Sequence, residues 1–347
     1  MILFSRFIFK KIFFKDVEKM NKSLSRFINI LVWVSLILCG ISFLIFHVFR
    51  VYEKRSTNHE GIPIAMALDD GYTYPTIVAM TSILENAAKE TKYDFYIMHP
   101  GEFSEENKGK LKSLSKKYRN KCSVNLINME NKYKNANDKG HITTPTYYRL
   151  SLSELLPDLD KIIWLDGDTI TYTDLKEMYD IDMEGYYYKG FLDDNVAAVD
   201  SFTTENDHCI CAGVMLINLK ELRQDDMVNK FSDFIEKNNE KLVQHDQTTI
   251  NAMCYKKIGI LPPKFGVYNY SSVEEAKSQA GKYRLKNGYT EADLEQAYNN
   301  PAVLHCISKP WKNINVRGGR AWWECARKTD YYSEIQEKYG ATVLAGN

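Results

Sequence analysis

Two carboxylates separated by one glycine, Asp166-Gly167-Asp168, follow directly on the apolar run Lys161-Ile162-Ile163-Trp164-Leu165. In a strand, residues i and i+2 point to the same side. Asp166 and Asp168 are therefore expected to converge on one point, with Gly167 letting the backbone turn tightly between them. Two hard oxygen ligands at the end of a buried strand suit a divalent cation such as manganese or magnesium. Such a cation usually holds a phosphate or diphosphate. A polar turn after a strand would give the same residues no metal, so the pair alone is a weak signal and needs its surroundings.

The surroundings alternate strand-like and helix-like pieces from Gly61 onward. Ile62 to Leu68 reads as a buried strand ending at a second acidic turn, Asp69-Asp70-Gly71-Tyr72. A helix is expected from Thr76 to Ala88, a strand from Tyr93 to Met98, a polar helix from Glu105 to Tyr118 and a strand from Cys122 to Ile127. That alternation indicates an α/β fold with a mainly parallel sheet. Ligands of such sheets bind beyond the carboxyl ends of the strands, where both acidic turns fall. Residues 140–156 read as a helix from which Arg149 could reach the paired carboxylates. Residues 210–222 read as a buried strand running into a helix. The stretch from Val267 to Asn300 is polar, Tyr-rich and without a clear period.

Lys and Arg number 45, as do Asp and Glu, so the formal net charge is zero and gives no bulk reason to bind nucleic acid. Aromatic residues make up 13% of the chain, with 23 tyrosines, which is compatible with a sugar-handling surface but also with an ordinary core. The seven cysteines contain no C-x-x-C pair. A zinc site is not indicated, and small buried thiols are the default reading.

From Phe27 to Phe49 there is no charged residue. As a helix this stretch would span about 34 Å, which matches a bilayer core. It is therefore read as a single transmembrane helix, with a buried soluble helix as the alternative. Residues 1–26 are basic and aromatic, and residues 1–15 among them could form an amphipathic helix lying on anionic lipid. The basic excess before residue 27 favours a cytoplasmic N-terminus, placing the remainder on the far side. The expected organisation is a basic/aromatic segment 1–26, a membrane helix 27–49, a linker 50–60, a catalytic domain 61–335 and a tail 336–347.

Six pieces in order resemble glycosyltransferase family 8, which includes bacterial lipopolysaccharide glucosyl- and galactosyltransferases. They are Ala67-Leu-Asp-Asp-Gly-Tyr72, Thr146-Tyr-Tyr-Arg-Leu150, Trp164-Leu-Asp-Gly-Asp168, Ala212-Gly-Val-Met-Leu-Ile-Asn-Leu219, His245-Asp-Gln247 and His305-Cys-Ile-Ser-Lys-Pro-Trp311. The resemblance covers nearly all of residues 61–335. It implies a GT-A, Rossmann-like fold with a mainly parallel mixed sheet, a UDP-sugar donor, manganese (with magnesium as an alternative), and hexosyl transfer with retention.

The same resemblance implies roles. Asp166 and Asp168 would ligate the metal, with His305 as third ligand. Lys309 would act as a point charge on the diphosphate. Asp69, Asp70 and Tyr72 correspond to the nucleotide-binding turn, with Tyr72 stacking on the base. Arg149, Asp193 or Asp194, Asp246 and Gln247 resemble the sugar-binding and catalytic set. Gln247 would lie near the anomeric carbon, and a front-side displacement would need no protein base. The chain departs from the family at Cys211, where Asn is usual, at Gly71, and in a short His305-to-Lys309 loop lacking a glycine. The alternatives are a nucleotide-sugar hydrolase, with water replacing the acceptor, and an inactive glycan-binding membrane protein. A bacterial resemblance would put the catalytic domain in the cytoplasm, where nucleotide sugars are made, against the charge rule.

Overall fold

The computed structural model describes residues 24, 26–37, 40, 42, 61–134, 136, 144–193, 202, 209–277 and 288–344. They fall in two compact units, Met1–Asn58 and His59–Asn347. In the first unit the described residues are helical. The membrane span expected over 27–49 is not borne out: among the described residues, no helix is long and apolar enough to cross a membrane. The single-pass membrane localisation is corrected accordingly. Of the basic/aromatic segment 1–26, residues 1–23 and 25 lie outside the described residues, as does the linker 50–60.

The second unit holds a seven-stranded sheet in the order β3-β2-β1-β4-β7-β6-β8. Its strands are β1 (Ile62–Ala67), β2 (Tyr93–His99), β3 (Cys122–Asn128), β4 (Lys161–Leu165), β6 (Tyr188–Asp193), β7 (Cys209–Asn218) and β8 (Ile258–Ile260). The half β3-β2-β1-β4 is parallel. β7 runs antiparallel to both β4 and β6, so the sheet is mixed. IPIAMA in β1 and CICAGVMLIN in β7 are continuously apolar because both faces of the sheet are covered. Along β4, Ile162 and Trp164 pack into one core, while Ile163 and Leu165 pack into the other. The second core takes the helix Thr73–Glu85, and the first takes the helices Met227–Asn238 and His245–Cys254.

Residues 144–155 form a 3-10 helix, Thr144–Ser151, followed by one α turn, Leu152–Leu155, rather than one continuous helix. A smaller sheet of β5 (Thr169–Thr171), β10 (Val303–His305) and β9 (Val267–Tyr268) stands beside the large one. Its core is aromatic, with Trp311, Trp322 and Trp323 buried together. The segment without a clear period holds β9 and a helix, Glu291–Asn299, whose capping box Thr290/Asp293 is visible in sequence. The C-terminal aromatic stretch forms two helices, Gly319–Arg327 and Tyr332–Leu344; the second runs past residue 335. Six cysteines lie in the described part and all are free thiols.

Candidate active site

The parallel order of β1 and β4 places their carboxyl ends side by side, so the turns after them share one cleft. A cavity of about 770 Å³ opens there, lined by Asp69, Tyr72, Arg149, Asp166, Asp168 and Lys309 among others. β4 stops at Leu165, so Asp166 and Asp168 sit in the turn leading to β5 and not in a strand. They converge all the same, because the turn is fixed at three points. Asp166 N–H donates to Gly213 O at 2.9 Å, Cys306 N–H donates to Asp168 O at 2.9 Å, and Thr169 Oγ1 donates to Asp166 O at 2.9 Å. Gly167 is required for space and not for a left-handed backbone: a Cβ there would lie 2.5 Å from Thr76 Oγ1.

His305 reaches the turn through sheet pairing. β10 runs antiparallel to β5, with His305 opposite Thr169, which sets the ring beside Asp168. Nε2 lies 3.2 Å from Asp168 Oδ1 and 4.0 Å from Asp166 Oδ2. One ligand atom from each of the three residues lies within 4.8 Å of the others, and among the described residues this is the group able to hold a metal ion. The fit is good. Asp168 Oδ1 is buried and faces His305 Nε2. Neighbouring ligand atoms around an octahedral cation stand about 3 Å apart, close to this separation. Gly213 makes the approach possible: a Cβ there would meet His305 Cε1 at 2.3 Å and Asp166 Oδ2 at 2.8 Å.

Charge is dense around the cluster. Burial alone would depress the His305 pKa, but the Asp168 carboxylate outweighs it and raises the ring well above its ordinary value. Burial likewise opposes ionisation of Asp168, yet His305 and Lys309 hold it below the usual carboxylate range. Lys309 Nζ is ion-paired with Asp168 Oδ2 and donates to Cys306 O at 3.1 Å. Asp166 Oδ1 accepts from Trp164 Nε1 at 2.8 Å and from Arg149 at 3.1 Å.

Arg149 is 3% exposed and works as a brace. Its guanidinium lies 4.3 Å from the Trp164 ring centre, pairs with Asp246 Oδ2 at 3.0 Å and donates to the Thr146 and Ala212 carbonyls. Burial pushes the Asp246 carboxyl up to about 6; Arg149 opposes this and Asp166 adds to it. Gln247 is also tied down. Its Oε1 accepts from Ala212 N–H at 2.9 Å and its Nε2 donates to Gln244 at 2.8 Å. Asp193 accepts from the Tyr268 hydroxyl, while Asp194 lies outside the described residues.

The first acidic turn divides. Asp69 lines the cavity and caps the turn, accepting from Tyr72 N–H at 3.2 Å. Tyr72 lies on the cavity wall with its ring edge-on to Trp311, centres 5.8 Å apart. Asp70 turns away. Its Oδ1 accepts from Ser104 Oγ at 2.8 Å and Asn107 Nδ2 at 2.6 Å, fastening the start of the helix Glu105–Lys117. Gly213 and Trp311 stand inside the family-like pieces with no role given to them there, and Lys312 stands just beyond. Lys312 lines the cavity three residues beyond Lys309, and that basic spacing was its available signal.

Known proteins share this architecture. The sequence model described as "Glycosyl transferase family 8" matches residues 63–315. General stress protein A of Bacillus subtilis (strain 168) is 26% identical over 271 residues, covering 74% of this chain and 90% of that protein. Lipopolysaccharide 1,2-glucosyltransferase of Escherichia coli is 25% identical over 292 residues, covering 80% of this chain and 78% of that protein. The crystal structure of the galactosyltransferase LgtC in complex with donor and acceptor sugar analogs shares the fold, with a TM-score of 0.64. It is 22% identical and covers 78% of this chain and 96% of that one. The match spans most of the chain and the acidic turns with it: the protein belongs to glycosyltransferase family 8 and is a glycosyltransferase with a mixed α/β, GT-A-like fold.

Proposed function

We propose that this enzyme transfers a hexose, glucose or galactose, from a UDP-sugar to a glycan or glycolipid acceptor of the lipopolysaccharide kind, with retention of configuration. The observation that carries it is the convergence of Asp166, Asp168 and His305 on a cavity that Lys309 also lines. The glucosyltransferase and galactosyltransferase named among the relatives support the hexose and the acceptor class.

Asp166, Asp168 and His305 would hold manganese or magnesium, both compatible with this oxygen and imidazole set. When bound, such a cation offsets charge on the departing diphosphate. Lys309 swings from Asp168 to the same phosphates, with Lys312 beside it. Asp69 and Tyr72 take the uridine, and Trp311 keeps the Tyr72 ring upright on the wall. Asp70 is assigned to holding the turn. Arg149 acts by orienting Asp166 and neutralising Asp246. Gln247 holds β7 through Ala212, and Asp193 is assigned to the sugar.

In the reaction the anomeric C–O bond to the β-phosphate breaks with its electron pair going to oxygen. The acceptor hydroxyl forms the new C–O bond from the same face. Its proton passes to the departing phosphate oxygen, so no protein base is consumed. Donor turnover by the full chain across a panel of UDP-sugars, with manganese or EDTA and with an Asp168→Asn variant, tests the proposal. The expected result is consumption of one UDP-sugar that needs acceptor and is lost in the variant. Release of free sugar without acceptor would make it a hydrolase. Failure of every UDP-sugar to turn over or bind would overturn the donor assignment.

A further inference from the structure

The side of the His305 ring that faces away from the carboxylates is also closely built. Nδ1 lies 3.5 Å from Cys211 Sγ. Cys211 is 4% exposed on β7, and its sulfur also receives Gly213 N–H at 3.3 Å. The Tyr268 hydroxyl donates to Asp193. The Tyr268 and His305 ring centres are 5.6 Å apart. With Nε2 given to a cation, Nδ1 carries the proton of the neutral ring and donates it to the Cys211 sulfur. A neutral imidazole has one N–H and one lone pair, and the partner of one nitrogen decides which is which. An acceptor at Nδ1 leaves the lone pair on Nε2, the atom that faces Asp166 and Asp168.

We propose that Cys211 is a positioning residue for the cation site, its sulfur fixing the tautomer and rotation of His305 so that Nε2 is the ligand atom. This rests on the cation site of the proposed function. A thiol is a weak acceptor, so the ring depends on its surroundings for a fixed aim. The Gly213 N–H supplies part of that by anchoring the sulfur, and Tyr268 closes the remaining side.

The test is Mn2+ titration of the full-length protein, with free Mn2+ read by electron paramagnetic resonance and no nucleotide sugar present. Cys211→Ser keeps an acceptor, Cys211→Val fills the space without one, and Cys211→Ala is a second variant lacking it should valine not fold. The expected result is an affinity within about threefold of wild type for Cys211→Ser and about 10–100-fold weaker for Cys211→Val and Cys211→Ala. Wild-type affinity in folded Cys211→Val or Cys211→Ala would overturn the inference. So would a serine variant as weak as the other two, since size and not the acceptor would then decide. Absence of Mn2+ binding by wild type, unchanged by Asp168→Asn, would instead overturn the cation site, and the role of Cys211 with it.

Discussion

Gly213→Ala tests the packing of the site most directly. The added methyl would start 2.3 Å from His305 Cε1 and 2.8 Å from Asp166 Oδ2. Carbon atoms pack at about 3.5–4.0 Å, so the imidazole must retreat by at least about 1.2 Å. Metal–ligand distances tolerate only about 0.2 Å. The ring has nowhere convenient to go, with Cys211 Sγ 3.5 Å from Nδ1 and Tyr268 packed beside it. Overpacking at such a position costs about 1–3 kcal/mol of stability. Mn2+ affinity should fall by about 100-fold or more, at or beyond the top of the range for indirect disturbance of a ligand. The measurements are Mn2+ titration by electron paramagnetic resonance and thermal unfolding of the same samples. Adding His305→Ala should return the stability lost to the methyl, because the clash goes with the ring. Wild-type Mn2+ affinity in a folded Gly213→Ala protein would refute the reasoning.

Three further outcomes follow from other parts of the site. Arg149→Met leaves Asp246 buried without its partner and should cost about 3–5 kcal/mol in urea unfolding, where a loss under about 1 kcal/mol would remove the brace role. Asp70→Ala should lower stability by about 1–2 kcal/mol through its lost hydrogen bonds while leaving KM for the UDP-sugar unchanged; a raised KM would return Asp70 to the nucleotide site. Because the Asp168 carboxylate raises the pKa of metal-free His305, Mn2+ competes with a proton for the ring, and affinity should rise with pH through the range where that group titrates. Calorimetry in buffers of different ionisation enthalpy reads the released proton, and no release would contradict the assignment.

The sheet was legible because its strands are buried on both faces and so read as unbroken apolar runs, as in β1, β4 and β7. The reversal of β7 was not, since such a run carries no direction. The apolar stretch after Phe27 shows the limit of composition: absence of charge suggested a membrane span, and no described helix is long and apolar enough to make one. In the site, the sequence by itself determined the types and local spacing of the groups: paired carboxylates after a strand, a second acidic turn, and a His-to-Lys loop. Tertiary structure alone decided which of them meet. The antiparallel pairing of β5 with β10 carries His305 to Asp168 across more than a hundred residues, and β7 offers Gly213 where nothing larger fits. Two neighbours in sequence, Asp69 and Asp70, end on opposite duties for the same reason. Side-chain chemistry is a property of the residue, but the partner it finds is set by the chain folded around it.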